Sequence, residues 1–194
     1  AIALDARIRI DAARPGGAAH FAIVPYPAQE VEQIEWQGQP LTVRPIRPED
    51  EARHLEFLGS LSPDDIRLRV FYSRRSIERT ELARLTQIDY ARELAYVAIG
   101  PDAAGKARTL GVVRAVIDPD NQDAEFGIII RSEAKGGGLG VLLMNKLIRT
   151  LRERGTRRLV ATVLAENQGM LALGRRVGFR LSEDQPDRVT RAIV

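Results

Sequence analysis

The sequence predicts an α/β (α+β) fold: a mixed, mostly antiparallel central sheet with helices on both faces. Three observations lead there. Apolar stretches between residues 94 and 130 are separated by short turn sequences, as in an antiparallel meander. A glycine loop, Lys135-Gly136-Gly137-Gly138-Leu139-Gly140, runs straight into an amphipathic helix. The segment after that helix, RRLVATVL, is nearly continuous and apolar, as expected of a buried central strand. The whole order reads β-α-α-α-β-β-β-α-β-α-β-β.

Residues 1–39 read as a tail or linker. ALDARIRID alternates like a strand until Arg14-Pro15-Gly16-Gly17 breaks it. HFAIVPYP is a second short extended piece, stopped by Pro25 and Pro27. Trp36-Gln37-Gly38-Gln39-Pro40 reads as a hairpin turn into the next strand. The compact domain is expected over residues 40–194 and opens with the alternating strand LTVRPI.

Pro48-Glu49-Asp50 starts a helix, because proline and acids suit its positive end. Leu55 and Leu58 lie on its apolar face, and Gly59 suggests its end. Ser62 is the expected N-cap of a second helix. A third runs from Ser76 through Gln87. The strands LAYVAIG, ARTLGVVRAVID and DAEFGIIIR follow, joined through Asp102-Ala103-Ala104-Gly105 and Asp118-Pro119-Asp120-Asn121. After the glycine loop, Leu142, Leu143, Leu147, Ile148 and Leu151 form a stripe on a helix that stops at Gly155. Asn167 caps a short helix, and Gly178-Phe179 begins the closing strands.

The 194 residues suffice for one domain with a sizeable core and some extra. No apolar run approaches the roughly 20 residues of a membrane span. AIALDARIRID, broken by Asp5, Arg7 and Arg9, does not read as a secretory signal, and a start without Met suggests a fragment or processed chain. Without cysteine there is no disulfide and no thiolate nucleophile, which fits a reducing cytoplasm. His20 and His54 are too few and too far apart in sequence to read as a metal cluster. The formal net charge of +3 gives little help to a nucleic-acid reading. The cations are three lysines and 26 arginines, a bias that reflects coding composition more than a binding surface.

The chemistry concentrates in AEFGIIIRSEAKGGGLGVLLMNKLI, residues 124–148. A glycine loop at a helix start exposes backbone N–H groups to the positive end of the helix dipole, which suits a pyrophosphate. Glu125 lies on the strand leading in, where alternation turns it outward or into a cleft.

The order of elements, the glycine loop, and Asn167 followed by Gly178-Phe179 resemble the GNAT superfamily of acyl-CoA-dependent N-acyltransferases over about residues 41–194. The family loop has Gln or Arg, two residues, Gly, one residue, then Gly or Ala. Here Lys135 replaces the first residue, and both small residues are present as Gly138 and Gly140. ALDARI, Ile23-Val24-Pro25-Tyr26-Pro27, RPIRPED, TQIDYARELAYVA and AEFGIIIR are more closely similar to bacterial Pat-type protein lysine acetyltransferases. In those enzymes an acyl-CoA-synthetase-like region precedes the acetyltransferase domain.

The resemblance implies a GNAT fold with a splayed cofactor cleft and acetyl-CoA as co-substrate, with no metal. Residues 1–39 would be the last part of the upstream region and its linker. The implied function is acetyl transfer to lysine ε-amines of proteins, acyl-CoA synthetases among them, in the cytoplasm. Glu125 is the implied general base, taking a proton from the attacking amine. Ile128, Ile129 and Ile130 would offer main-chain groups to pantetheine. Lys135, Gly136, Gly138, Leu139, Gly140 and Val141 would hold the pyrophosphate. Asn167 and Leu173 would complete the cofactor side. Many relatives place a tyrosine eight positions into the Asn-led segment as a general acid. Gly174 stands there, so no general acid is assigned. Asp89, Tyr90 and Glu93 read either as the border of an acceptor groove or as a solvated turn. The alternatives are a small-amine acetyltransferase and a non-catalytic acyl-CoA sensor. A nucleic-acid module ranks last.

Overall fold

The computed structural model describes residues 24–70, 78–182 and 189–193. Eight strands form one open sheet: β1 (Glu32–Trp36), β2 (Gln39–Pro45), β3 (Glu93–Pro101), β4 (Ala107–Ile117), β5 (Asp123–Ile130), β6 (Arg158–Leu164), β7 (Arg180–Ser182) and β8 (Val189–Ile193). Their spatial order is β1-β2-β3-β4-β5-β6-β8-β7. Every pair is antiparallel except β5 with β6. This is the mixed, mostly antiparallel sheet that the sequence predicts.

The helices are α1 (Glu51–Gly59), α2 (Pro63–Val70), α3 (Arg79–Thr86), α4 (Leu139–Glu153) and α5 (Gln168–Arg176). They cover both faces. On one, Phe57, Leu61, Val97 and Val112 are buried together, with Ile66 and Ile129 packed alongside. On the other, Leu143, Met144, Leu147 and Leu151 of α4 meet Tyr96, Val113 and Phe126, and Leu171 of α5 joins them. The period-two alternation of β5 sorts its side chains between the faces. Ala124 and Phe126 go to the α4 side, while Glu125 and Ile129 go to the other.

The helix signals act locally as expected. Ser62 Oγ accepts from the Asp65 N–H at 3.1 Å. Pro48–Asp50 form a 3-10 turn into α1. There Asp50 accepts both guanidinium nitrogens of Arg44, at 2.6 and 2.7 Å. Burial would raise the Asp50 carboxyl, but Arg44 and the Arg47 N–H outweigh it and hold it below the usual range. At the end of α4, Gly155 and Thr156 donate back to Arg152 and Leu151, so the helix stops where the sequence indicates. No described helix is long and apolar enough to cross a membrane.

The sheet begins upstream of Leu41. β1 lies within residues 1–39, read from sequence as tail or linker, yet it pairs with β2 from Glu32↔Val43 to Trp36↔Gln39. Glu32 accepts from Lys146 at 2.9 Å and from Arg149, both on α4. Glu30, just ahead of β1, accepts from the Tyr96 hydroxyl. Residues 1–23, which make up most of the expected tail, lie outside the described residues.

Candidate active site

β5 and β6 pair at only three positions: Asp123↔Arg158, Ala124↔Leu159 and Glu125↔Val160. Beyond that rung each strand stays bonded to its other neighbour. β5 continues along β4 as far as Ile130↔Gly111, and β6 continues along β8 as far as Leu164↔Val189. The two strands therefore part after Glu125, leaving facing backbone edges unpaired by one another. A free strand edge takes up an extended, amide-bearing chain by ordinary ladder hydrogen bonds.

A cleft of about 650 Å³ occupies this region. Of the residues expected from sequence, Ile128, Ile129, Ile130, Lys135, Gly136, Gly138, Gly140, Val141, Asn167 and Leu173 line it. Leu139 does not: its side chain is 1% exposed and part of the α4 core. Only its main chain faces the loop, because the helical turn that begins there sends the side chain to the sheet. Sequence reasoning passed over Asp65, Leu68, Glu166 and Arg176, which also line the cleft. The acid at Asp65 in the first turn of α2 was the available signal, but it reads equally well as a favourable helix-start charge.

The loop has the conformation its glycines permit. Gly136 and Gly138 sit at φ of +78° and +82°, where a side chain is strained. Gly138 is the N-cap of α4, with no side-chain cap and no acid in the first turn. The first amides of any helix lack intrahelical partners. Those of Gly136, Gly137 and Gly138 also find no acceptor among the described residues. Free N–H groups at the positive end of a 15-residue helix suit an anion.

Gly140 serves packing as well, since a Cβ there would lie 3.3 Å from Leu173 of α5. Lys135 is not free: its ammonium pairs with Asp65, and Ser132 Oγ donates to the same carboxylate at 2.9 Å. Burial would raise the Asp65 carboxyl, but hydrogen bonds from Lys135, Ser132 and Ser62 hold it below the usual range.

Glu125 stands at the apex, on the last paired rung, and does not itself line the cleft. It is exposed and has no hydrogen-bond or ion-pair partner among the described residues. Its cross-strand neighbour Val116 is 51% exposed. Arg114, diagonal to it on the same face, is committed to Glu93 at 2.8 Å and to the Leu85 carbonyl.

Asn167 Oδ1 accepts from the Met170 N–H at 3.0 Å, which makes it the cap expected from sequence. Gly174 is buried in α5. No tyrosine among the described residues lines the cleft. Tyr96 is buried beside Glu30 and Thr150, and Tyr90 donates to the Ile46 carbonyl at 2.8 Å. Glu93 is held by Arg114, and Asp89 caps its own turn at the Ala91 N–H. Asp89, Tyr90 and Glu93 thus each serve local structure.

The splayed sheet, the open edge and the amide-lined loop define the GNAT fold. The chain matches the Acetyltransferase (GNAT) family over residues 64–179, more than half its length, and it belongs to that family of acetyltransferases. Acetyltransferase PA5475 of Pseudomonas aeruginosa is 29% identical over 163 residues, covering 84% of this chain and 86% of that one. The GNAT domain of S. lividans PAT superposes with a TM-score of 0.77 at 23% identity, covering 88% of this chain and 99% of that one. Spermidine N-acetyltransferase from Vibrio cholerae, solved with CoA and spermine, superposes with a TM-score of 0.60 at 24% identity, covering 79% and 94%. At these identities the structural likenesses speak for the fold.

Proposed function

We propose that this chain transfers an acetyl group from acetyl-CoA to the ε-amine of lysine in a protein acceptor, such as an acyl-CoA synthetase. The observation that carries the reading is Glu125, an exposed carboxylate without a described partner where β5 and β6 part. The donor fits the cleft in each of its parts. The pantetheine amides suit the open edge of Ile128–Ile130. The pyrophosphate suits the free amides of Gly136–Gly138, with Lys135 nearby. The thioester then falls towards the apex.

An amine there must shed its proton before it has a lone pair for the thioester carbon. Glu125 takes that proton, directly or through one water. The departing thiolate is a weak enough base to leave without a tyrosine acid, in keeping with Gly174. A small-amine acceptor is the second reading, favoured by the likeness in fold to a spermidine acetyltransferase.

Transfer from labelled acetyl-CoA to purified acyl-CoA synthetase, wild type beside Glu125→Gln, tests the assignment. The expected result is label on lysine that falls by about 10²- to 10⁴-fold in the variant, the usual weight of a general base, with acetyl-CoA binding retained. An unaltered rate in the variant removes Glu125 from the mechanism. No labelled protein, with rapid labelling of a polyamine, moves the acceptor to the second reading.

A further inference from the structure

The glycine loop is held from behind by the β1–β2 hairpin. The Trp36 Nε1–H donates to the Gly137 carbonyl at 2.7 Å, across 101 residues of sequence. Contact at this point is tight. A Cβ on Gly137 would lie 2.3 Å from Gln37 Nε2 and 2.7 Å from Trp36 Cζ2. Gly137 accordingly faces the hairpin, whereas Gly136 and Gly138 on either side line the cleft. The hairpin is itself anchored along α4, the helix the loop begins, through Glu32 with Lys146 and Arg149.

From these contacts we infer that Trp36 is a positioning residue for the anion-binding loop, and that the hairpin is the loop's back wall. A trans peptide plane sets its carbonyl and the following N–H in opposite directions. Fixing the Gly137 carbonyl on Trp36 therefore turns the Gly138 N–H away from the hairpin, on the side where Gly138 lines the cleft. Three consecutive glycines flip peptide planes at little cost. A flipped Gly137–Gly138 plane would set a carbonyl oxygen where an anion needs a donor. One indole N–H removes that alternative. The inference rests on the reading of the cleft as an acetyl-CoA site, and it assigns part of that site's affinity to a residue that does not line the cleft.

Binding of acetyl-CoA and of S-acetylpantetheine, which lacks the pyrophosphate, separates positioning from mere packing. Both ligands are titrated into the whole chain as wild type, Trp36→Phe and Gly137→Ala, with thermal melts to establish folding. Phenylalanine keeps the ring and loses the donor, while alanine wedges loop and hairpin apart. The expected result is a loss of about three- to tenfold in acetyl-CoA affinity in each variant, the weight of one hydrogen bond. S-acetylpantetheine affinity stays unchanged, and the double variant loses no more than the worse single one. Equal losses for both ligands, or none for either, overturn the positioning role. A wild type that binds no acetyl-CoA overturns the reading of the cleft and this inference with it.

Discussion

Two helices meet at the cleft, and they begin in opposite ways. α5 starts with a side-chain cap: Asn167 Oδ1 takes the Met170 N–H at 3.0 Å. α4 starts on left-handed Gly138 with no side-chain cap, no acid in its first turn, and free amides in the loop ahead of it. An absent cap costs a helix about 0.5–2 kcal/mol. α4 sustains that cost because its other face buries Leu143, Met144, Leu147 and Leu151 against the sheet. The capped helix closes the side of the cleft. The uncapped one sets Gly136 and Gly138 on the wall of the cleft.

Perturbing each helix start in turn tests this contrast, and the variants rank by their effect on acetyl-CoA affinity. Gly138→Ala ranks first. A side chain at φ +82° costs about 1–2 kcal/mol, and the loop escapes by abandoning its conformation. Affinity measured by calorimetry should fall about tenfold or more. Unchanged affinity would mean the left-handed start is not what holds the donors in place.

Asp65→Asn comes second and acts in the other direction. It removes a negative charge from the cleft and releases Lys135 from its pair. Affinity should rise about two- to fivefold, within the range of a partly exposed ion pair, and the gain should shrink with added salt. Weaker binding would show instead that the pair holds the loop in place.

Asn167→Ala follows. Loss of the cap should cost about 1 kcal/mol, seen as a Tm lower by about 2–4 °C, with affinity changed less than in Gly138→Ala. An affinity loss equal to that of Gly138→Ala would erase the division between the two helix starts.

His54 should leave affinity untouched while controlling acid stability. His54 is 3% exposed, and its Nδ1 has no partner among the described residues. Burial, then the charge of Arg114, lowers its pKa from 6.5 to about 4, against the opposing pull of Asp50. The folded pKa lies below the unfolded one, so the unfolded chain binds the proton first. Stability is full above about pH 6.5 and falls as pH drops towards 4. Between pH 7 and 5 the loss should be about 2 kcal/mol, read as Tm against pH. His54→Gln should flatten that slope. A wild type with no slope would mean that His54 takes up its proton as readily folded as unfolded.

Much of this was legible because the signals are local. The stripe of α4, the turns at Asp102 and Asp118, and the Ser62 and Asn167 caps each depend on residues a few positions apart. Ile128–Ile130, Gly136, Gly138, Gly140 and Asn167 line one cleft because they lie on elements that end there. Local spacing is silent where a residue's partner is distant. Glu32 meets Lys146 only through the fold. Leu139 reads as part of the loop until the first turn of α4 buries it. The ammonium of Lys135 meets Asp65 only through the fold.

By itself the sequence determined the order of elements from β2 onward, the glycine loop and the acid on the strand that enters it. These follow from periodicity, steric freedom and turn chemistry, which act over a few residues. Only the tertiary structure decided that β5 and β6 part after Glu125, that no described arginine holds that carboxylate, and that Trp36 grips the loop from behind. Such facts depend on which strands lie side by side. Chain packing fixes that across a hundred residues, with no trace in local spacing.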